Sequence, residues 1–156
     1  MMTLEQLTNV CNLMNLEGVE YVVVGGWAIF VHGYERATRD LDILISTTAK
    51  NIEKLKRALN NLLPEACSEL ELNDVEKNVV VRMVGDNLVI DLMAKIGEVS
   101  YKTAKDHVVS ENVNGIPIPI ADVDTMLKCK EGVREIDKKD YIFLLGKKRY
   151  LEKGEK

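Results

Sequence analysis

Apolar and polar positions along this chain repeat with two different periods, and each change of period marks the edge of an element. Between Thr3 and Glu17, Leu4, Leu7, Val10, Cys11 and Met14 fall on one face at helical spacing. That pattern predicts an amphipathic helix with Thr3 as its N-cap and Gly18 as its stop. Tyr21 to Val24 is an unbroken apolar run that reads as a short strand, and Gly25 and Gly26 interrupt it ahead of a helix from about Trp27 to Val31. Leu41 to Ser46 reads as a second strand. Ile52, Leu55, Leu59 and Leu62 then place a second amphipathic helix over Thr48 to Leu63, stopped near Pro64. Glu65 to Lys77 is acidic and weakly patterned, and no element is assigned to it.

The run NVVVRMVGDNLVIDLMAKI is the clearest hairpin, two β-branched stretches around Gly85, Asp86 and Asn87, residues that tolerate positive φ. Alternation sets Leu88, Ile90 and Leu92 on one face and Val89, Asp91 and Met93 on the other. Asp106 to Ile120 holds two or three short extended pieces, where Pro117 and Pro119 at alternate positions argue for an edge strand or an extended loop. Ala121 to Gly132 reads as a helix with Asp122 as N-cap, and Glu135 to Leu151 as the last helix, burying Ile136, Ile142, Phe143 and Leu145. The order of elements predicts a mixed α/β (α+β) fold, with a sheet of about four to six strands, helices mainly on one face and a short helical C-terminus. One domain suits 156 residues, with a core over about 19–120 and C-terminal helices over about 121–152.

Chemistry concentrates between Tyr21 and Ile45. A Gly-Gly turn at a helix start offers backbone N–H groups that attract anions. After thirteen intervening residues come Asp40 and Asp42, separated by Leu41 at the mouth of the second strand. Residues two apart on a strand share a face, so the two carboxylates project together. They repel unless a cation lies between them, and hard, partly hydrated oxygen ligands suit Mg²⁺ shared with a substrate phosphate. Asp91 is a lone acid in an apolar strand, which calls for a metal, a partner such as Arg82 across the hairpin, or a water-facing edge position.

Composition narrows the class. The net charge of −4 removes the global electrostatic footprint of a protein that coats nucleic acid. Cys11, Cys67 and Cys129 are odd in number and widely spaced, against both a disulfide framework and a zinc site and in favour of a reducing cytosol. No signal peptide is read at the start, and the longest apolar stretch is too short and glycine-interrupted to span a membrane, so a cytoplasmic location is expected.

The segment GGWAIFVHGYERATRDLDILI resembles the signature of the polymerase-β-type nucleotidyltransferase superfamily, a Gly-Gly or Gly-Ser turn followed by Asp-x-Asp. Its GGWA opening and Arg-x-Thr-x-Asp-x-Asp run resemble two branches: the aminoglycoside and lincosamide nucleotidyltransferases, and the abortive-infection toxin-like nucleotidyltransferases. Further on, MLKCKEGVREIDKKDYIFLL resembles the C-terminal motif of the toxin-like branch, which would engage Lys128, Arg134, Lys139 and Asp140. Lys128 or Lys130 would then approach the triphosphate.

The resemblance implies transfer of an NMP from an NTP to a hydroxyl on a small molecule, an RNA end or a protein. Two Mg²⁺ or Mn²⁺ ions about 3.5–4 Å apart would stabilise an in-line displacement at the α-phosphorus. Asp40, Asp42 and Asp91 would be the metal-binding and catalytic acids, Asp91 accepting the proton of the attacking hydroxyl. Gly25 and Gly26 would hold the β- and γ-phosphates, with Arg36, Arg39 and Lys128 neutralising phosphate charge. Gly26 stands where many relatives have serine, as it does in the antibiotic-modifying branch. The modest C-terminus implies a shallow acceptor site, or one completed by a homodimer or a partner protein. The competing reading is a catalytically weak or inactive binding module, such as a subunit of a toxin–antitoxin pair. His32, inside the signature, and Trp27, after the glycines, are read as structural, and no partner is visible for His107.

Overall fold

Four consecutive apolar residues leave no polar face, so β1 (Tyr21–Val24) belongs inside a sheet, and all four are buried. The computed structural model describes residues 2–35, 37–129 and 135–154. Ahead of β1 runs α1 (Leu4–Glu17), opened by a capping box between Thr3 and Gln6 and closed by Gly18 in the left-handed region. α2 (Gly25–Val31) begins directly at the glycines, two residues earlier than the sequence suggests. β2 (Leu41–Ile45) follows, and then α3 (Ala49–Leu59), capped by the Thr48 side chain. This helix stops short of Leu63 because Asn60 and Asn61, weak helix formers, follow it.

The acidic stretch folds as two short helices, α4 (Pro64–Glu69) and α5 (Asp74–Lys77), held by buried Cys67, Leu70 and Val75. The expected hairpin is β3 (Val81–Val84) with β4 (Val89–Met93). Next come a small ribbon, β5 (Lys95–Ile96) with β6 (Val99–Ser100), and α6 (Tyr101–Ala104), none of which the hydrophobic pattern signals. A second hairpin, β7 (Val108–Val113) with β8 (Ile116–Ala121), leads into α7 (Val123–Cys129) and α8 (Glu135–Gly154).

Among the described residues the main sheet has six strands in the order β3-β4-β2-β1-β8-β7. β2 is antiparallel to β1 and parallel to β4, while β8 is parallel to β1. β8 is thus an inner strand, correcting the edge or loop expectation drawn from its prolines. Pro117 and Pro119 are two apart, so their missing N–H groups fall on one side of the strand. That side faces away from β7: the Pro117 carbonyl is taken by the Asn15 amide of α1 at 2.7 Å. Pairing with β1 is confined to Val23 opposite Ile120. Ile142 corrects another expectation. It is 69% exposed, and α8 turns Leu144 and Asp140, one helical turn apart, into the core instead. Ile136 falls where only backbone is described, and Arg134 lies outside the described residues.

α1 packs on α3 and on β8. The junction is tied by Asn51, a buried side chain that accepts from Glu20 N and donates to Glu20 O and Ser46 O. One amide thereby closes the start of β1 and the end of β2 against α3. Nearby, burial pushes the Cys11 thiol up to about 12, so it behaves as a small core hydrophobe. Among the described residues no helix is long and apolar enough to cross a membrane.

Gly25 has φ +69, and a Cβ placed on it would come within 2.2 Å of Asp42 Oδ2. Gly97 has φ +59 with nothing within 4 Å of such an atom. Backbone strain acts at both positions, steric overlap only at the first. In urea denaturation Gly97→Ala should cost about 1–2 kcal/mol, and Gly25→Ala distinctly more. Adding Asp42→Ala to Gly25→Ala should recover part of the difference, and strictly additive losses would show that the two sites do not touch.

Asn51→Ala removes the partner of Glu20 N and of Ser46 O at a partly buried junction, while Glu20 O keeps its bond from Ser46 N. A loss of about 2–3 kcal/mol is expected. A loss below about 0.5 kcal/mol, the range of ordinary surface substitutions, would show that water replaces the amide.

Candidate active site

Strand register builds the site. Arg82 on β3 lies opposite Asp91 on β4, Asp91 opposite Asp42 on β2, and Asp42 opposite Val24 at the end of β1. Residues in one cross-strand row point to the same face, so Arg82, Asp91 and Asp42 project together. Asp40 joins them from two residues before Asp42. Leu41 and Ile43, in the alternate phase, are fully buried.

The Arg82 guanidinium lies between two of the acids. Its Nε donates to Asp91 Oδ1 at 2.9 Å and its Nη2 to Asp91 Oδ2 at 3.0 Å, a planar two-point grip. The same Nη2 donates to Asp40 Oδ2 at 3.0 Å. One nitrogen at that distance from each acid means the two oxygens are at most twice as far apart. Asp91 thus lies near Asp40. Asp91 is only 10% exposed at its side chain, against 30% for Asp40 and 56% for Arg82. The acid is buried and its counter-ion reaches it from solvent. The Arg82 charge is reinforced above its ordinary range, first by hydrogen bonding and attraction to Asp91, then by Asp40 and Asp42. With the guanidinium among them, no three His, Cys, Asp or Glu side chains of the described residues surround a common point ready for a metal ion.

The glycine turn faces this cluster. The space that a side chain at position 25 would need is filled by the Asp42 carboxylate, so the N-terminus of α2 lies directly against an acid. Gly26 is buried in the first turn of the same helix. Arg39 is exposed in the segment leading into β2, and Arg36 falls outside the described residues. Lys128 lies in the last turn of α7. It is exposed on α7, beyond β8, lining a cavity of about 480 Å³ with His107, Asp122, Tyr141 and Lys148. Because β8 runs parallel to β1, that cavity opens at the same end of the sheet as the glycine turn.

His32 Nε2 donates to the Ala121 carbonyl at 2.8 Å, tying α2 to β8 in agreement with a structural role. Trp27 is buried and packs edge-on against Phe30, as a packing residue does. His107 has a partner after all, Asp122, at 4.0 Å. The same Asp122 accepts from Thr125 N, which confirms it as the α7 cap. Sequence reasoning undervalued Arg82. Its signal was its place opposite Asp91 in the hairpin, which pairing arithmetic alone delivers.

A family model described as aminoglycoside-2''-adenylyltransferase matches residues 6–144. No curated protein matches the chain by sequence. Among solved structures, the chain is similar to an antigenic nucleotidyltransferase-like protein from Paracoccidioides brasiliensis, at 15% identity and TM-score 0.57, over 92% of this chain and 75% of that one. It is also similar to a provisionally assigned nucleotidyltransferase from Thermotoga maritima, at 13% identity and TM-score 0.59, over 96% of this chain and 90% of that one. At such identities the likeness shows the fold alone. The family match covers most of the chain and includes the glycine turn and all three acids, and by it the chain belongs to the aminoglycoside-2''-adenylyltransferase family of the nucleotidyltransferase superfamily.

Proposed function

We propose that this protein transfers a nucleoside monophosphate from an NTP to a hydroxyl acceptor, using divalent metal held by Asp40, Asp42 and Asp91. The observation that supports the reading is the row of acids on adjacent strands, closed at one end by the Gly25 turn, with Arg82 bonded to two of the three. The donor set is all carboxylate oxygen, the chemistry that Mg²⁺ and Mn²⁺ select. Bound there, such ions supply Lewis-acid stabilisation of the charge that develops on a transferring phosphoryl group.

The chain's own residues have separable tasks. Asp40 just before β2, Asp42 on β2 and Asp91 on β4 would hold the ion. Asp91, the most buried of the three, also accepts the proton of the acceptor hydroxyl, since its environment is shielded from bulk water. The α2 N-terminus binds phosphate oxygens through the backbone N–H groups of Gly25 and Gly26. Arg39 and Arg36 stand just before the acid pair in the sequence and balance phosphate charge. Lys128, across β8, serves the part of the substrate that extends over the second cavity rather than the reacting phosphate. The family's name directs attention to ATP as donor and an aminoglycoside hydroxyl as acceptor, and these are the first substrates to try.

Nucleotide binding should require a divalent ion. In calorimetry with ATP, GTP, CTP and UTP, at least one should bind with Mg²⁺ and lose most of its affinity in excess EDTA. Equal affinity in EDTA would show that the acids are not a metal site. Asp42→Asn should leave the metal-free melting temperature unchanged or raised, because it lowers charge in a crowded cluster. It should also abolish the stabilisation by Mg-NTP and the transfer of label to any acceptor. A metal-free protein that melts much earlier would instead make Asp42 a structural residue.

A further inference from the structure

We propose that Arg82 is an internal placeholder for the metal: it neutralises Asp40 and Asp91 in the metal-free protein and must leave them when the metal enters, so that metal loads efficiently only together with the nucleotide. The inference rests on the metal-site reading above and goes beyond it by assigning a residue and an order of binding.

The geometry makes the two cations competitors. Both oxygens of Asp91 and one of Asp40 already accept from Arg82. Magnesium binds carboxylate oxygens at about 2.0–2.1 Å and demands a near-octahedral shell. A planar guanidinium wedged between the same carboxylates occupies that shell. Two or more positive charges a few ångströms apart in a partly buried pocket also repel each other. One of the cations therefore leaves, and Arg82 is free to do so. It sits on β3, an edge strand of the sheet, and more than half its side chain is exposed.

Arg82 also has somewhere to go. On the outer side of β3 it lines a cavity of about 390 Å³ together with Glu65, Glu69 and Asp74. A free divalent ion has to expel Arg82 unaided. A metal–triphosphate complex has further contacts at the Gly25 turn and brings phosphate oxygens, which give the displaced guanidinium a new anionic neighbour. Metal and nucleotide should consequently bind with positive coupling, each raising the affinity for the other by the same factor.

The test measures Mn²⁺ binding by electron paramagnetic resonance of the free ion, without nucleotide and with a non-hydrolysable ATP analogue whose α,β-bridging oxygen is replaced. The proteins are wild type, Arg82→Gln and Arg82→Lys. Without nucleotide, Arg82→Gln should bind Mn²⁺ about tenfold or more tightly than wild type, a factor within the usual coupling range. Arg82→Lys, which keeps the charge but loses the two-point grip, should fall between them. With the analogue present the three proteins should converge, because the placeholder has been displaced in all of them. Equal Mn²⁺ affinity of wild type and Arg82→Gln without nucleotide overturns the placeholder role, as does weaker binding by Arg82→Gln, which would make Arg82 a support for the acids. In either case Mn²⁺ binding with the analogue leaves the metal-site reading standing. Failure of all three proteins to bind Mn²⁺ even with the analogue overturns both proposals. Arg82→Lys retains the positive charge and so keeps the experiment informative if the glutamine variant does not fold.

Discussion

Everything at the candidate site depends on the register of β2 between its two neighbours. Asp42 is opposite Val24 on one side and Asp91 on the other. Sliding β2 by one residue would turn Leu41 and Ile43 to the polar face and bury both aspartates. The fully buried Leu41 and Ile43 forbid that slip, since exposing either of them forfeits about 1.5–3 kcal/mol. Core packing and site geometry are therefore one constraint: the apolar residues that stabilise the sheet are the same ones that aim the acids.

Electrostatics explains how three acids can share one face of the sheet. Three carboxylates on one face of adjacent strands destabilise the sheet, and the cross-strand guanidinium offsets their repulsion. The mixed topology helps, because the parallel β2–β4 pair brings Asp42 and Asp91 level while the antiparallel β3–β4 pair puts Arg82 in the same row. The Gly25 turn adds a third neighbour, close enough to Asp42 that no side chain fits between them. Acid, base and phosphate-attracting backbone thus share a volume without any long loop to carry them.

Much of this was legible from residues alone, for identifiable reasons. α1, β1, β2 and the β3–β4 hairpin each show a clean period with a glycine or capping residue at an end, so local rules sufficed. The Asp-x-Asp spacing and the lone Asp91 were visible because charges stand out against apolar strands. What failed were features decided by distant partners. The place of β8 inside the sheet depends on an amide of α1 accepting the role of a missing ladder partner. The inward face of α8 is chosen by Leu144 and by Phe143 stacking on Tyr34 at 5.1 Å, not by the apolar count that favoured Ile142. The burial of Asn51 was hidden because its three bonds all go to backbone atoms of other segments.

The prolines of β8 have a mechanical consequence. They remove two donors from one flank of the strand, so the sheet is two ladders, β3-β4-β2-β1 and β8-β7, meeting along a seam with a single matched pair. The splint across it is α1, whose Asn15 accepts from the Tyr21 hydroxyl on one ladder and donates to the Pro117 carbonyl on the other. The acids and Arg82 lie wholly on the first ladder, while the cavity beside Lys128 belongs to the second. The N-terminal helix therefore bridges the half that holds the acids and the half that carries the second cavity.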